Sequence, residues 1–253
     1  MKYERPYVLS IAGFDPSGGA GITSDSKTME ALKCVGLSVC TANTVQNDVS
    51  FKACYWTSMP IMLDQIHLLF ERFPIGFVKI GIVENWLVLD TLLTALLLQQ
   101  PTVKIILDPV LSASTSFLFH ADASNDKNEF LDRILEKIYL ITPNFNEIQG
   151  LYPDKNIEAT IAYISSKTHL FLKGGHREDA LGKDVLYQSN GTLVEMLAAD
   201  GDYSEKHGSG CVLSSAITSY LSHGFSLETA CLKGKRYTEK VLSSTTNLLG
   251  YHG

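Results

Sequence analysis

The sequence predicts a single three-layer α/β domain over residues 1–253, in which helices cover both faces of a mainly parallel sheet. Short apolar runs of strand length alternate with amphipathic runs of helix length along most of the chain. These apolar runs are nearly continuous, as expected of parallel strands that are buried on both faces. No linker, repeat or low-complexity segment divides the chain, which favours one domain over two.

The predicted elements follow one another in a regular order. The predicted strands are residues 7–12, 37–45, 76–80, 104–107, 139–142 and 169–173. The predicted helices lie near residues 22–34, 60–72, 84–98, 126–137 and 156–166. In the second of these helices, Pro60 occupies a first-turn position that tolerates proline, and Ile61 and Leu68 share an apolar face.

The pattern changes towards the carboxyl terminus. Ser189-Asn190-Gly191 separates two short strand-like runs, which predicts a β-hairpin over residues 184–197. Two helices are then expected, over residues 208–222 and 226–246. We therefore expect one α/β domain that carries a hairpin insert.

Composition and charge exclude several classes of protein. The chain has 21 Lys+Arg and 27 Asp+Glu, and the net charge of −6 argues against general nucleic-acid binding, which needs a basic surface. Its most apolar stretch, residues 86–98, is too short to span a bilayer. The 5 cysteines lack the spacing of a disulfide framework or a zinc site. We expect a cytoplasmic protein that binds neither nucleic acid nor membranes.

Two glycine-rich turns are candidate ligand sites. The first glycine turn (residues 13–21, GFDPSGGAG) follows a predicted strand, and its glycines favour close approach of the backbone to a ligand over a merely flexible connection. The second glycine turn (residues 207–211, HGSGC) begins a helix, where backbone amides and the helix dipole favour an anion. The alternative for the second turn is a Ser N-cap among small residues. Neither turn fits the P-loop or GxGxxG fingerprint, which disfavours a P-loop NTPase and a dinucleotide-binding dehydrogenase.

Cys211 lies in the first turn of the helix that the second glycine turn begins. The helix start is expected to lower the pKa of this thiol towards the reactive range. The alternative is a small buried residue, which is the interpretation we adopt for the other cysteines.

Charged and amide side chains follow several predicted strands. Asp108 follows one strand, and Asn144 and Glu147 follow the next, spaced either as a pair on one helical face or as a simple capping pair. Carboxylates such as Asp108 and Glu147 are hard oxygen ligands of the kind that Mg2+ prefers. Lys173 stands before two glycines, which suits either a phosphate contact or a solvated strand end. Near the first glycine turn, polar residues including Asp25 and Gln46 either bind a heterocycle edge or are ordinary polar loop residues.

The ordered motifs GFDPSGGAGI, VQN, KIGI, LDPV, ITPNFNE, LKGGH and HGSGCVLSSAI resemble one family. They are similar to the hydroxymethylpyrimidine/phosphomethylpyrimidine kinases of thiamine biosynthesis, within the ribokinase-like superfamily, from Val8 to about residue 240. The resemblance implies a ribokinase-like fold and the phosphorylation of 4-amino-5-hydroxymethyl-2-methylpyrimidine, and of its monophosphate, with ATP and Mg2+. It also implies a homodimer whose ligands are ATP and a small pyrimidine.

The resemblance assigns a role to each candidate residue. Asp25 and Gln46 would bind the pyrimidine ring, and Gly13 and Ile82 would form the wall of its pocket. Asp108, Asn144 and Glu147 would lie around Mg2+ and phosphate, with Asp108 and Glu147 as the metal ligands. Lys173 would face the nucleotide phosphates. The anion hole would comprise Gly208, Ser209 and Gly210, and Cys211 would act as the base or position the acceptor hydroxyl.

Departures from the family pattern leave two alternatives open. The run at residues 112–116 lacks the cation that the family carries in a flap, and Lys206 replaces a threonine before the second glycine turn. One alternative is a pyridoxal or pyridoxine kinase, because that pyridine also carries a hydroxymethyl arm. The other is a non-catalytic pyrimidine-binding or regulatory protein on a kinase scaffold.

Overall fold

The computed structural model describes residues 4–110, 127–175 and 182–253. The altered run at residues 112–116, the rest of the predicted flap to residue 125, and His176 lie outside the described residues. The strands are β1 (Tyr7–Phe14), β2 (Val35–Gln46), β3 (Phe51–Trp56), β4 (Phe77–Ile80), β5 (Lys104–Leu107), β6 (Leu140–Ile141), β7 (His169–Leu172), β8 (Asp184–Tyr187) and β9 (Leu193–Met196). The helices are α1 (Gly21–Ala31), α2 (Met59–Arg72), α3 (Trp86–Gln99), α4 (Lys127–Lys137), α5 (Phe145–Leu151), α6 (Ile157–Lys167), α7 (Ser209–Ser222) and α8 (Leu227–Leu242).

In the described residues, 9 strands form one sheet in the order β3-β2-β1-β4-β5-β6-β7-β8-β9. The six strands from β2 to β7 in this order are parallel to their neighbours. At the edges, β3 is antiparallel to β2, and the hairpin of β8 and β9 is antiparallel to β7. The predicted mainly parallel sheet and the predicted hairpin are confirmed.

Successive residues of the central strands serve opposite faces of the sheet, as the two-residue period of a strand requires. In β5, Ile105 and Leu107 pack in the core formed with α2 to α6, whereas Ile106 packs in the core formed with α7 and α8. Val8 of β1 packs with Met29 of α1 on the second face. Because both faces are covered, the central strands are apolar almost without interruption.

The structure differs from the sequence prediction at two places. Asn47 Oδ1 accepts the backbone N–H groups of Val49 and Ser50, and the resulting turn leads into β3, which was not predicted. Helix α8 ends at Leu242 rather than near residue 246. The Ser244 hydroxyl donates to the Val241 carbonyl and accepts the Tyr251 N–H, so the chain turns back at this point. Among the described helices, none has both the length and the apolarity that crossing a membrane requires.

The strand order reverses at β1, which lies between β2 and β4. From β1 the chain first proceeds to one edge and then returns to build the rest of the sheet in the other direction. In open parallel sheets, ligands bind beside the carboxyl ends of the strands at such a reversal. The first glycine turn follows β1, and the turns after β5, β6 and β7 open at the same edge.

Candidate active site

Three side chains from separate turns form a charged cluster, defined by Asp108, Glu147 and Lys173. Asp108 follows β5, Glu147 lies in α5 after β6, and Lys173 follows β7. Lys173 Nζ lies 2.9 Å from Asp108 Oδ1 and 3.5 Å from Glu147 Oε2. The parallel order of β5, β6 and β7 therefore brings together three residues that are widely separated in the sequence.

The charges in this cluster depend on one another. Burial alone would raise the pKa of Asp108, but the ammonium groups of Lys173 and Lys79, with hydrogen bonds, outweigh it and lower that pKa. Burial raises the pKa of Glu147, and repulsion from Asp108 adds to the effect while Lys173 opposes it. Burial would lower the pKa of Lys173, yet the two carboxylates raise it. Two acidic groups thus share one ammonium, which leaves the cluster anionic when both carboxylates are ionised.

Asn144 is the N-cap of α5. Its Oδ1 accepts the N–H groups of Asn146 and Glu147, while the Glu147 carboxylate accepts the Asn144 N–H at 2.7 Å. The capping interpretation considered from the sequence is therefore confirmed. The same contacts orient Glu147 towards Lys173, so the cap also places a member of the charged cluster.

The second glycine turn lies directly over the charged cluster. Gly208 is the N-cap of α7 with φ of 76°, and among the described residues no side chain caps this helix start. A Cβ atom added to Gly210 would lie 3.4 Å from Lys173 Nζ and 3.7 Å from Asp108 Oδ2. One turn further, Ser214 Oγ donates to Asp108 Oδ2 at 3.2 Å. A helix start that favours anions is thus in contact with a lysine and a carboxylate.

The structure also brings together two of the residues predicted to form the pyrimidine pocket. A Cβ atom added to Gly13 would lie only 2.4 Å from Ile82 Cδ1, so glycine leaves the room that this isoleucine occupies. The Thr41 hydroxyl, on β2, donates to the Ile82 carbonyl at 2.7 Å. Gln46 is half-buried at the end of β2, three positions beyond Asn43, the register partner of Phe14. These residues lie at the same edge of the sheet as the first glycine turn.

Asp25 lies beneath the site rather than in an open pocket. Both Asp25 and Lys79 are 0% exposed, and Lys79 Nζ lies 3.0 and 2.8 Å from the two carboxylate oxygens of Asp25. The Ser10 and Ser215 hydroxyls donate to the same carboxylate at 2.5 and 2.6 Å. All of these partners belong to the protein, and a contact between Asp25 and a pyrimidine stays a prediction.

The expected fall in the pKa of Cys211 is wrong. Burial raises the pKa of this thiol to about 11, and Asp25 and Asp108 add to the effect. Lys79 and a hydrogen bond from the Gly21 backbone lower it by less. The thiol therefore lies outside the reactive range that was expected from its place at a helix start. The five cysteines, all in the described part of the chain, are free thiols.

Several residues that the structure places at the site were given no role by the sequence motifs. Lys79 interrupts an apolar strand, which is a signal that a charged partner lies behind it. Ser214 and Ser215 gave no such signal, because small polar residues are common on helices. Asp15 and His207 belong to the two glycine turns, and a hydrogen bond joins them across the site.

Comparison with known proteins identifies the family. The sequence model described as phosphomethylpyrimidine kinase matches residues 15–253. The chain belongs to this family. The hydroxymethylpyrimidine/phosphomethylpyrimidine kinase of Aquifex aeolicus is 34% identical over 225 residues, covering 85% of this chain and 86% of that protein.

Two solved kinase structures share the fold of this chain, and one of them is a phosphomethylpyrimidine kinase. The structure of phosphomethylpyrimidine kinase from Clostridium difficile 630 has a TM-score of 0.76 and 30% identity, covering 92% of this chain and 98% of that one. The pyridoxal kinase from Staphylococcus aureus in complex with ADP has a TM-score of 0.84 at 21% identity, covering 99% and 94% of the two chains. The predicted ribokinase-like fold is confirmed.

Some relatives are longer than this phosphomethylpyrimidine kinase family member. The chain spans 55% of the bifunctional thiamine biosynthesis protein ThiDN of Methanocaldococcus jannaschii, with 29% identity over 246 residues. It spans 32% of the multifunctional protein ThiED of Corynebacterium glutamicum.

Proposed function

We propose that the chain uses ATP and Mg2+ to phosphorylate the hydroxymethyl group of 4-amino-5-hydroxymethyl-2-methylpyrimidine, and then phosphorylates the resulting monophosphate. One observation carries the proposal: the second glycine turn, at a helix start without a side-chain cap, lies against the charged cluster of Asp108, Glu147 and Lys173. Membership of the phosphomethylpyrimidine kinase family supports the choice of substrate.

The second glycine turn would bind the transferred phosphoryl group. Phosphoryl transfer depends mainly on positioning and on neutralising charge. The amides of Gly208, Ser209 and Gly210 begin a helix, and Lys173 Nζ lies within reach of Gly210. These donors are held in place before substrate binds, so they stabilise developing charge without reorganising during the reaction.

Asp108 and Glu147 would hold Mg2+. They fit this ion because they are two buried hard-oxygen donors that converge on one lysine. In the described part of the chain, no three His, Cys, Asp or Glu side chains cluster as a metal site of their own. The remaining ligands would be waters and phosphate oxygens, as Mg2+ commonly keeps. When bound, Mg2+ would neutralise charge on the nucleotide phosphates.

The pyrimidine would lie at the end of β1 and β2. Gly13 and Ile82 would form its wall, because they are in contact and face this edge of the sheet. Gln46 carries an amide that both donates and accepts, which matches the edge of an aminopyrimidine. Asp25 would reach the ring only by exchanging one of its bonds to Lys79, Ser10 or Ser215. We therefore assign the direct polar contact to Gln46 and a supporting position to Asp25.

Cys211 would position the acceptor hydroxyl rather than remove its proton. A thiol with a pKa of about 11 is protonated at neutral pH and so is a poor base. A loose phosphoryl-transfer transition state makes little demand for a strong base, and a phosphate oxygen can accept the proton. The thiol can then act as a weak hydrogen-bond partner of the hydroxyl.

The test is ADP release by the purified protein with Mg-ATP and each of three acceptors: hydroxymethylpyrimidine, its monophosphate and pyridoxal. We expect turnover on both pyrimidines and a kcat/KM for pyridoxal lower by about 100-fold or more, which is about 3 kcal/mol of transition-state discrimination. Preference for pyridoxal would overturn the proposal in favour of a vitamin B6 kinase. Binding of all ligands without ADP release would point to the non-catalytic alternative.

A matched pair of variants connects the activity to the site. Asp108→Asn removes a carboxylate of the charged cluster, whereas Asp90→Asn removes one from a partly exposed ion pair with Lys137. We expect only the first to abolish ADP release. A homodimer and a cytoplasmic location are further parts of the proposal, and sedimentation of the purified protein tests the first.

A further inference from the structure

The two glycine turns, which the proposed reaction assigns to different ligands, are packed backbone against backbone. A Cβ atom added to Gly208 would lie 2.1 Å from the Gly19 carbonyl oxygen and 2.7 Å from Ala20 Cα. One added to Gly19 would lie 2.6 Å from His207 Cδ2. No side chain fits between the turns at these positions, so their separation is set by direct contact.

A buried hydrogen bond crosses this contact. His207 Nε2 lies 2.9 Å from Asp15 Oδ2, and the two side chains are only 9% and 1% exposed. The Asp15 carboxylate also accepts the backbone N–H groups of Ala20 and Ser17, both at 2.9 Å. One carboxylate therefore closes the first glycine turn and binds the second.

The carboxylate is ionised at neutral pH. Burial would raise the pKa of Asp15, but the hydrogen bonds from His207, Ala20 and Ser17 outweigh burial and lower the pKa to about 2. Because an ionised carboxylate only accepts hydrogen bonds, His207 Nε2 carries the hydrogen and donates it. A charge-assisted bond of this kind is shorter and stronger than a neutral one.

Further contacts hold the two ends of the bridge in place. The His207 backbone N–H donates to the Leu248 carbonyl at 2.9 Å. On the other side, Lys27 Nζ donates to the Gly18 carbonyl at 2.8 Å. The imidazole and the first glycine turn therefore have little freedom to move apart while their hydrogen bond persists.

We propose that Asp15 and His207 are positioning residues that hold the two glycine turns at a fixed separation for phosphoryl transfer. The inference rests on the proposed function, in which the acceptor lies beside the first turn and the phosphoryl group beside the second. A displacement of about 1 Å between reacting groups can cost about 100-fold in rate. A bond that sets this separation acts on the rate more than on the binding of either ligand.

Two substitutions at residue 207 separate the hydrogen bond from the volume of the ring. His207→Leu fills much of the space of the imidazole ring with an apolar side chain and removes the Nε2–H donor. His207→Gln places an amide N–H near the position of Nε2. For His207→Leu we expect kcat to fall by about 10- to 100-fold, with each KM within about threefold of wild type. His207→Gln is expected to recover kcat to within about threefold of wild type.

Amide hydrogen exchange of the ligand-free protein supplies a readout that needs no turnover. We expect faster exchange at Ser17 and Ala20 in His207→Leu and near-normal exchange in His207→Gln, because opening of the turn exposes these amides. His169→Leu is the matched control. His169 accepts the Ser189 N–H at the start of β7, so its loss removes a histidine hydrogen bond without touching either turn.

Unchanged exchange at Ser17 and Ala20 in His207→Leu would overturn the proposal whatever the activity. Faster exchange with an unchanged kcat would also overturn it, because the bond would then be structural only. A rise in KM at constant kcat would overturn it as well. kcat is measured on whichever hydroxymethyl acceptor the wild-type enzyme uses, so a failure of pyrimidine specificity contradicts the proposed function and leaves this test in force.

Discussion

Two sets of effects act in opposite directions on the pKa of Cys211. The start of α7 and the Lys79 ammonium favour the thiolate, whereas burial and the nearby carboxylates of Asp25 and Asp108 favour the thiol. Burial outweighs the neighbouring charges and raises the pKa to about 11. A protonated thiol carries no charge, so it would not repel a phosphoryl group bound at the proposed anion site as a thiolate would.

The alkylation rate of Cys211 tests this protonation state. Only the thiolate reacts with iodoacetamide, so the rate below the pKa should rise about tenfold for each pH unit, without a plateau up to about pH 10. Mass spectrometry of the peptide that contains Cys211 measures the rate in the ligand-free protein. Cys211→Ser is the control for assignment of that peptide. A plateau near pH 8 would mean that the helix start dominates and would restore the base role.

Lys79 and Asp25 form a fully buried ion pair beneath the site. Burial alone would lower the pKa of Lys79, but Asp25 and, to a lesser extent, Cys211 and Asp108 raise it, so the lysine stays charged. Removing two charges from water is costly, and their attraction repays this only with good geometry and further hydrogen bonds. Ser10 and Ser215 supply such bonds to Asp25.

We expect Lys79→Met to lower the free energy of unfolding by about 3–5 kcal/mol, because it leaves Asp25 buried and unpaired. Lys137→Met is the control, since it breaks a partly exposed pair with Asp90 and should cost about 1 kcal/mol or less. Urea unfolding measures both. The double variant Asp25→Leu with Lys79→Met should recover part of the loss. If Lys79→Met lowers the free energy of unfolding no more than Lys137→Met does, the Lys79–Asp25 pair is not important for stability.

At the scale of elements, the N-cap of the short helix α5, which follows β6, orients Glu147. Asn144 caps α5 and Asn156 caps α6 through the same kind of contact, in which a side-chain oxygen accepts a first-turn amide. Alanine at either N-cap should cost about 1 kcal/mol of stability. We expect only Asn144→Ala to lower kcat/KM for ATP as well, because only this cap places a member of the charged cluster. Equal activity of the two variants would show that Asn144 is a cap alone.

The sequence predicts the elements that obey a simple period and misses those that depend on distant partners. The parallel strands and their polar carboxyl ends are predictable because apolar runs and strand-end residues lie together in the chain. β3 is not, because its pairing depends on a turn held by the Asn47 side chain. The Lys79–Asp25 pair joins residues of β4 and α1, and only the fold shows that each is the partner of the other. The pKa of Cys211 likewise depends on residues from other elements.

At the scale of the whole molecule, the candidate site is built from the ends of several strands and helices rather than from a single element. The first glycine turn follows β1, the charged cluster follows β5, β6 and β7, and the second glycine turn begins α7 on the opposite layer. A ligand bound here would contact several of these segments at once. Its binding energy would therefore oppose the separation of both layers from the sheet and would stabilise the entire fold.

Thermal unfolding with ligands tests this coupling. A non-hydrolysable ATP analogue at about 100 times its Kd should stabilise the protein by about 2.7 kcal/mol. We expect removal of Mg2+ with EDTA to reduce this gain, because the nucleotide phosphates would then face Asp108 and Glu147 without a cation between them. In Glu147→Gln, the gain from the ATP analogue should depend less on Mg2+, whereas the gain from hydroxymethylpyrimidine should persist, because Gly13, Ile82 and Gln46 are unaltered. An unchanged Mg2+ dependence in Glu147→Gln would place the metal elsewhere. Loss of the pyrimidine gain in that variant would mean that the charged cluster also forms the acceptor pocket.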